Sequence, residues 1–266
     1  MQIAGEGPST LKKQTLASKL VEQVGSQKGS GEIPAKYQWH SQVFSEEAAQ
    51  CFPKSQIWDH TIEQKPNAPS MIPGKVYQLT QDEQKALLDF VKEQQAKGYI
   101  CPSKSPYAAP FFFIKKKDGK LRPVQDYWQL NEWTIKNHYP LLLISKLIAQ
   151  VQNAKIFTKV DVRWVYNNIH IKEGDKYKAA FITNQGLFEP TVMFFGLMNS
   201  PATFQTMMNA IFAPEIAKGW LIVYMDDILI TTWDNPKYHE ECIHCILEKL
   251  HLHDLYLKPE KCTFKQ

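Results

Sequence analysis

The chemistry in this 266-residue sequence concentrates in two adjacent aspartates set inside an apolar run, Tyr224-Met225-Asp226-Asp227-Ile228-Leu229-Ile230. A tight turn between strands ordinarily takes Asn or Gly, which tolerate the backbone it needs. Two carboxylates between buried strands instead incur desolvation and mutual repulsion unless a cation offsets them. A third carboxylate, Asp161, ends another apolar segment 65 residues upstream. Adjacent strands of one sheet would bring all three together. Three carboxylates suit a hard, oxygen-preferring ion such as Mg²⁺, which also binds substrate phosphates. The alternative is a pair of turn aspartates in a solvated hairpin.

The elements that must hold these carboxylates are legible in the hydropathy pattern. Residues 1–35, rich in Gly, Ser, Gln and Lys, read as a disordered tail, and residues 36–78 as an extended strap carrying Pro53, Pro66, Pro69 and Pro73. Residues 79–266 form the folded part. Thr80 and Glu83 make a capping box for a helix with the stripe Ala86, Leu87, Phe90 and Val91, closed by Lys97-Gly98. Phe111 to Ile114, the turn Asp118-Gly119, and Leu121 to Tyr127 read as a hairpin tipped by Lys115, Lys116, Lys117 and Lys120. Pro140 opens a helix bearing Leu143, Leu147 and Ile148, and Ile156 to Val160 is a buried strand ending at Asp161. Tyr177 to Thr183 and Leu187 to Phe194 pair around Asn184-Gln185-Gly186. Ser200 caps and Pro201 opens a helix turning Ala202, Phe204, Met207, Met208 and Ile211 inward. Short strands flank the aspartate pair, and Asn235-Pro236 starts another helix. This irregular alternation predicts an α+β fold with an antiparallel sheet.

A composition of 44% apolar and 22% charged residues describes a globular chain and excludes collagen, coiled coil and wholesale disorder. No apolar stretch approaches the roughly 18–20 residues of a membrane helix, and the first 30 residues lack a secretory core, so an intracellular protein with no membrane partner is expected. Cytoplasm and nucleus are equally open. Five cysteines, an odd number, point to reduced thiols. Cys242-Ile243-His244-Cys245, near His239, His251, His253 and Cys262, invites a zinc reading. A second pair at fixed spacing is missing, and Cys242, Cys245, Ile246 and Lys249 fit one packed helix face instead. The net charge of +4 conceals a basic block: residues 101–155 carry nine basic and three acidic side chains, whereas residues 156–266 carry 11 and 13. A basic block beside an acidic one suits a phosphate-tracking surface next to a metal-holding cluster, although lysine-rich loops are often merely solvated.

The sequence resembles the reverse transcriptases of gypsy-type long-terminal-repeat retrotransposons, particularly the fungal branch. The likeness runs from about Pro53 to Gln266, through Lys115-Lys116-Lys117-Asp118-Gly119, Leu121-Arg122-Pro123, Leu130-Asn131, Asp161, Phe195-Gly196-Leu197, Asn199-Ser200-Pro201-Ala202-Thr203-Phe204-Gln205 and Tyr224 to Asp227. It implies the right-hand polymerase fold, with fingers over roughly residues 79–155 and part of the following segment, and a palm around the three aspartates. Asp161, Asp226 and Asp227 would be catalytic, holding two Mg²⁺ ions (Mn²⁺ as substitute) with the Val162 carbonyl. Lys116 and Arg122 match the family's triphosphate contacts, Tyr166 its steric gate beneath the sugar, Phe195 and Gly196 the wall of the nucleotide pocket, and Met225 the residue beside the primer terminus. Read without the resemblance, Lys116 and Arg122 are a solvated loop, and Tyr166 is core packing. The implied partners are an RNA or DNA template with its primer, deoxyribonucleoside triphosphates, and the polyprotein's thumb and ribonuclease H, with integrase a further candidate.

Three positions depart from the pattern: Trp128 stands where the family has arginine, Val165 where it has glycine before the gate tyrosine, and Leu142 where it has proline. The sequence ends near Lys258-Pro259-Glu260-Lys261-Cys262, about where a primer-grip hairpin is expected to begin, so the fold is expected to be truncated before the thumb. Two functions follow: an RNA-directed DNA polymerase domain impaired in this chain, or a decayed, non-catalytic retroelement remnant that at most binds nucleic acid or a protein partner.

Overall fold

The structure, a computed structural model, describes residues 32–116, 119–139 and 154–264. The tail up to residue 31, the Lys117-Asp118 half of the lysine turn, Leu142 and the helix expected after Pro140 lie outside the described residues.

Two sheets carry the fold. In chain order the elements are α1 (Gln81–Ala96), β1 (Ile100–Pro102), β2 (Ala109–Lys115), β3 (Leu121–Gln125), α2 (Trp128–Trp133), β4 (Ile156–Asp161), β5 (Phe181–Thr183), β6 (Gly186–Pro190), α3 (Ser200–Ile211), α4 (Ala213–Ala217), β7 (Leu221–Tyr224), β8 (Asp227–Thr232) and α5 (Pro236–Leu252). The first sheet has the order β1-β6-β5-β2-β3 and the second β4-β8-β7. Every pair is antiparallel except β2 with β5, where Ala109 pairs with Phe181. That parallel pair ties the lysine hairpin to the β5–β6 hairpin, so the fingers draw strands from both sides of β4.

Local signals explain most of the element ends. Thr80 and Glu83 form the reciprocal capping box, and Gly98, at φ +73°, ends α1 in a conformation that a β-carbon resists. Asn235 accepts a hydrogen bond from the Tyr238 N–H and starts α5. The strand expected to reach Tyr127 stops at Gln125, because the Asp126 carboxylate accepts the Trp128 N–H at 3.1 Å and turns the chain into α2. Ser200 is the first residue of α3 and not its cap; its hydroxyl is buried without a partner. The side chain of Asn199, the residue before it, accepts from the Asn137 N–H and donates to the Ile135 carbonyl. Residues 176–179 form a 3₁₀ turn, which shortens the second hairpin to Phe181–Thr183 and Gly186–Pro190.

Helices α3 and α5 pack against the palm sheet, α3 on β7 and α5 on β8 and β4. His239 fastens α5: its two ring nitrogens lie 2.8 Å from the hydroxyls of Thr158 on β4 and Thr232 on β8. The strap begins as 3₁₀ helix over Ala35–Phe44 and Ala48–Gln50, where an extended chain was expected, and buries Tyr37, Val43 and Phe44. From there it has little regular structure and forms isolated bridges at His60 to Ile171, Gln64 to Thr134 and Ile72 to Tyr107.

His60 holds the strap to the palm. It is 2% exposed, its N–H donates to the His170 carbonyl at 2.7 Å, and its Nδ1 lies 2.9 Å from the Thr203 hydroxyl. Burial pushes the imidazole pKa down to about 4, with Asp175 opposing weakly. A base whose pKa is lowered by folding takes up its proton mainly in the unfolded chain, so stability falls as pH drops from the usual 6.5 toward 4. His60→Gln should flatten that limb by about 2 kcal/mol between pH 7 and 4.5, measured by urea unfolding of both proteins. Parallel pH dependences would show that His60 is not the acid-sensitive contact.

Candidate active site

The register of the palm sheet sets the site. Asp161 closes β4 directly opposite Asp227, which opens β8, and Asp227 also faces Tyr224 of β7. Met225 and Asp226 make the turn, with Met225 at φ +55°. For a side-chain-bearing residue that backbone is strained, and Gln205 of α3 holds it. The Met225 N–H donates to Gln205 Oε1 at 2.8 Å, while Gln205 Nε2 donates to the Val223 carbonyl at 3.0 Å. The Val162 N–H in turn donates to the Asp226 carbonyl at 2.8 Å. Both halves of the motif are therefore locked together through backbone.

The carboxylates are counterbalanced by ammonium groups. Lys159 Nζ lies 3.0 Å from Asp227, and Lys258 and Lys261 reach the two oxygens of Asp161 at 3.3 and 3.1 Å. Asp161 is 3% exposed, and its Oδ1, facing Lys258, receives no hydrogen bond. Burial raises the Asp227 pKa; Lys159 opposes this, while Asp226 and Asp161 reinforce it. Lys261 loses some basicity to burial but gains more from its hydrogen bond to Asp161 and the charges of all three aspartates. Among the described residues no three acidic, His or Cys side chains stand ready-spaced around a metal position. The donor chemistry nevertheless fits a hard cation: all-oxygen, anionic, and with one buried oxygen lacking a hydrogen bond.

Three of the residues expected around a nucleotide, Tyr166, Phe195 and Arg122, touch in sequence. Tyr166 is 8% exposed, and its ring meets the half-exposed Phe195 ring edge-on at 4.7 Å. The Arg122 guanidinium, from β3, lies over the other ring's centroid, that of Phe195, at 4.9 Å. Burial, with the Asp226 charge, pushes the Tyr166 hydroxyl up to about 12. Gly196 has φ +104°, and a β-carbon there would stand 3.2 Å from the Gln125 carbonyl, so the loop needs glycine. Asn131 clamps this loop, donating to the Gly196 carbonyl and accepting from the Met198 N–H. Lys116 is exposed in the hairpin turn. Val165 is buried beside Tyr166, and Trp128 stands 69% exposed at the start of α2. In the helix with the CxxC, Cys242 is buried, while Cys245 and Lys249 meet the buried Glu215.

Known proteins share this sequence pattern and fold. The family described as reverse transcriptase (RNA-dependent DNA polymerase) matches residues 114–266. The Tf2-3 and Tf2-4 transposon polyproteins of Schizosaccharomyces pombe are each 37% identical over 195 residues, 73% of this chain. The chain spans only 14% of those polyproteins. The foamy viral protease-reverse transcriptase in complex with an RNA/DNA hybrid superposes with a TM-score of 0.73 at 16% identity, covering 94% of this chain and 31% of that one. The native prototype foamy virus protease-reverse transcriptase gives 0.72 at 19% identity, covering 93% and 31%. The chain belongs to the reverse transcriptase family, and its two sheets are the fingers and palm of a right-hand polymerase fold. Its relatives, the Tf2 elements, are retrotransposon polyproteins of the gypsy type. Reverse transcriptases as a family use divalent metal ions. Among the described residues no helix is long and apolar enough to cross a membrane.

Sequence reasoning gave no role to Gln205, Asn131, Lys159, Lys258 or Lys261. For Gln205 a signal existed: a glutamine on the inward face of an apolar helix needs a buried partner. Gln205→Leu leaves the Met225 N–H without its acceptor and should lower stability by about 1–3 kcal/mol, read as a fall in the urea midpoint at constant slope. An unchanged midpoint would remove Gln205 as the clamp of this turn.

Proposed function

We propose that the chain is the nucleotidyl-transfer part of an RNA-directed DNA polymerase, joining deoxyribonucleoside triphosphates to a primer 3′-hydroxyl on an RNA or DNA template. The observation that carries this reading is the facing of Asp161 and Asp227 across the last rung of the palm sheet, with Asp226 in the adjoining turn. Asp161, Asp226 and Asp227, with the Val162 carbonyl, would hold two Mg²⁺ ions, or Mn²⁺, which when bound make the 3′-hydroxyl a better nucleophile and stabilise the leaving pyrophosphate. Arg122 and Lys116 bind the triphosphate, the guanidinium through paired hydrogen bonds. Phe195 and Gly196 wall the base and sugar, and Met225, at the tip of its clamped turn, supports the primer end. Tyr166 lies beneath the sugar and excludes a 2′-hydroxyl. The template, its primer and the polyprotein's thumb, ribonuclease H and integrase are the partners, and the site of action is intracellular.

Primer extension on a homopolymer RNA template with Mg²⁺ or Mn²⁺ tests the reading. Metal-dependent addition that Asp161→Asn or Asp226→Asn lowers by about 1,000-fold or more is expected. Extension indifferent to those substitutions would overturn the assignment. The rate should be low, because Val165 fills space beside the gate and Trp128 brings no guanidinium to the fingers. Val165→Gly combined with Trp128→Arg should raise it, and a decayed remnant would stay inactive in both forms.

The gate makes a separate prediction. Tyr166→Ala should increase ribonucleotide incorporation relative to deoxyribonucleotide in single-turnover assays. Unchanged discrimination in an active variant would assign Tyr166 to packing alone.

A further inference from the structure

Two lysines on Asp161 have no role in the reaction as described above. They arrive on a loop fixed at both ends to β4. At one end the Arg163 N–H donates to the Tyr256 carbonyl and the Lys258 N–H to the Asp161 carbonyl, at 2.6 and 3.0 Å. At the other, Lys159 and Thr263 exchange two backbone bonds of 2.8 Å. Leu257 and Cys262, which flank the Pro259–Lys261 turn, are buried. The loop is thus anchored, and only the lysine side chains are free to withdraw; that of Lys261 is 52% exposed and that of Lys258 23%.

We infer that Lys258 and Lys261 are resident counter-ions of Asp161 that an incoming divalent cation must displace, so the free protein takes up that cation weakly and binds it tightly only together with a nucleoside triphosphate. The inference rests on the metal-binding reading of the three aspartates. Three carboxylates and the ammonium groups of Lys159, Lys258 and Lys261 cancel in formal charge. A divalent ion entering that neutral cluster would take oxygens that already have ammonium nitrogens 3.0 to 3.3 Å away, and like charges so placed repel strongly in a partly dry site. A triphosphate, which brings several negative charges, restores the balance and offers the displaced ammonium groups new partners. The geometry also argues against a bridge that serves only to hold the loop. Asp161 Oδ1 is buried with Lys258 Nζ 3.3 Å away, yet no hydrogen bond forms, while backbone bonds already anchor the loop.

Mn²⁺ binding to the full chain without primer, followed by electron paramagnetic resonance of the free ion, tests this independently of catalysis. Lys258→Met/Lys261→Met should bind Mn²⁺ about five- to tenfold more tightly than the unaltered chain in the absence of nucleotide, a change on the order expected for removing unit charges a few ångströms away. It should also gain less from added dTTP. Lys261→Met alone, at a half-exposed position, should show the same direction if the double variant folds poorly by circular dichroism. Asp161→Asn separates the two levels of the argument. If Mn²⁺ binding depends on Asp161 but neither lysine variant tightens it, the counter-ion role is wrong and the metal reading stands. If no Mn²⁺ binding depends on Asp161 in any form, both fall.

Discussion

Asp161 and Asp227 occupy one rung of an antiparallel pair, and the rest of the palm is built to tolerate that placement. Residues facing each other on such a rung have α-carbons about 5 Å apart, where two like charges repel by roughly 3 kcal/mol at an effective dielectric of 20. Exposed ion pairs generally contribute less than about 1 kcal/mol and would not offset this. Asp161, however, is almost fully buried, so the ammonium groups of Lys258 and Lys261 act on it with little screening. The arrangement stores negative charge at the end of an apolar sheet and keeps it exchangeable for another cation.

Exchangeability requires that the backbone under the carboxylates stay fixed while their counter-ions change. Gln205 fixes the strained turn at Met225, the Val162 N–H ties β4 to Asp226, and the segment ending at Thr263 adds a partial fourth strand beside β4. His239 secures the far side of the same strands through Thr158 and Thr232. Gln205 and His239 are buried polar groups with satisfied hydrogen bonds, which rigidifies more than apolar packing because any displacement strands a donor or an acceptor.

The parts of this design that were legible in the sequence are those with local causes. The capping box at Thr80, the Asn235 cap and the apolar strands around Asp161 and Asp226-Asp227 each follow from a few neighbouring residues, and the structure forms them at those places. The opening of the strap was misread as extended, because its 3₁₀ turns are held by burial of Tyr37, Val43 and Phe44 against a helix some 200 residues away, and such distant packing leaves no local periodicity. The three lysines were invisible for a related reason: Lys159 alternates with apolar residues like any strand lysine, and Lys258 and Lys261 look like loop charge until the chain folds back along β4. The ion pairs that surround the three carboxylates are likewise not encoded in motif spacing.

The contacts between fingers and palm are matched to a similar exchange. Arg122 of the first sheet reaches Phe195, and Phe195 reaches Tyr166, through ring contacts. A guanidinium over an exposed phenyl ring is worth about 0.5–1 kcal/mol. Charge-assisted hydrogen bonds from the same group to a phosphate are worth roughly 1.5–3 kcal/mol each. On the proposed function, Arg122 would therefore exchange its ring contact for a triphosphate. The Phe195 face it covers, which lies beside Tyr166, would then be open. At the palm rim the lysines stand in the same relation to Asp161, and a single polyanionic ligand would draw on both reserves of positive charge at once.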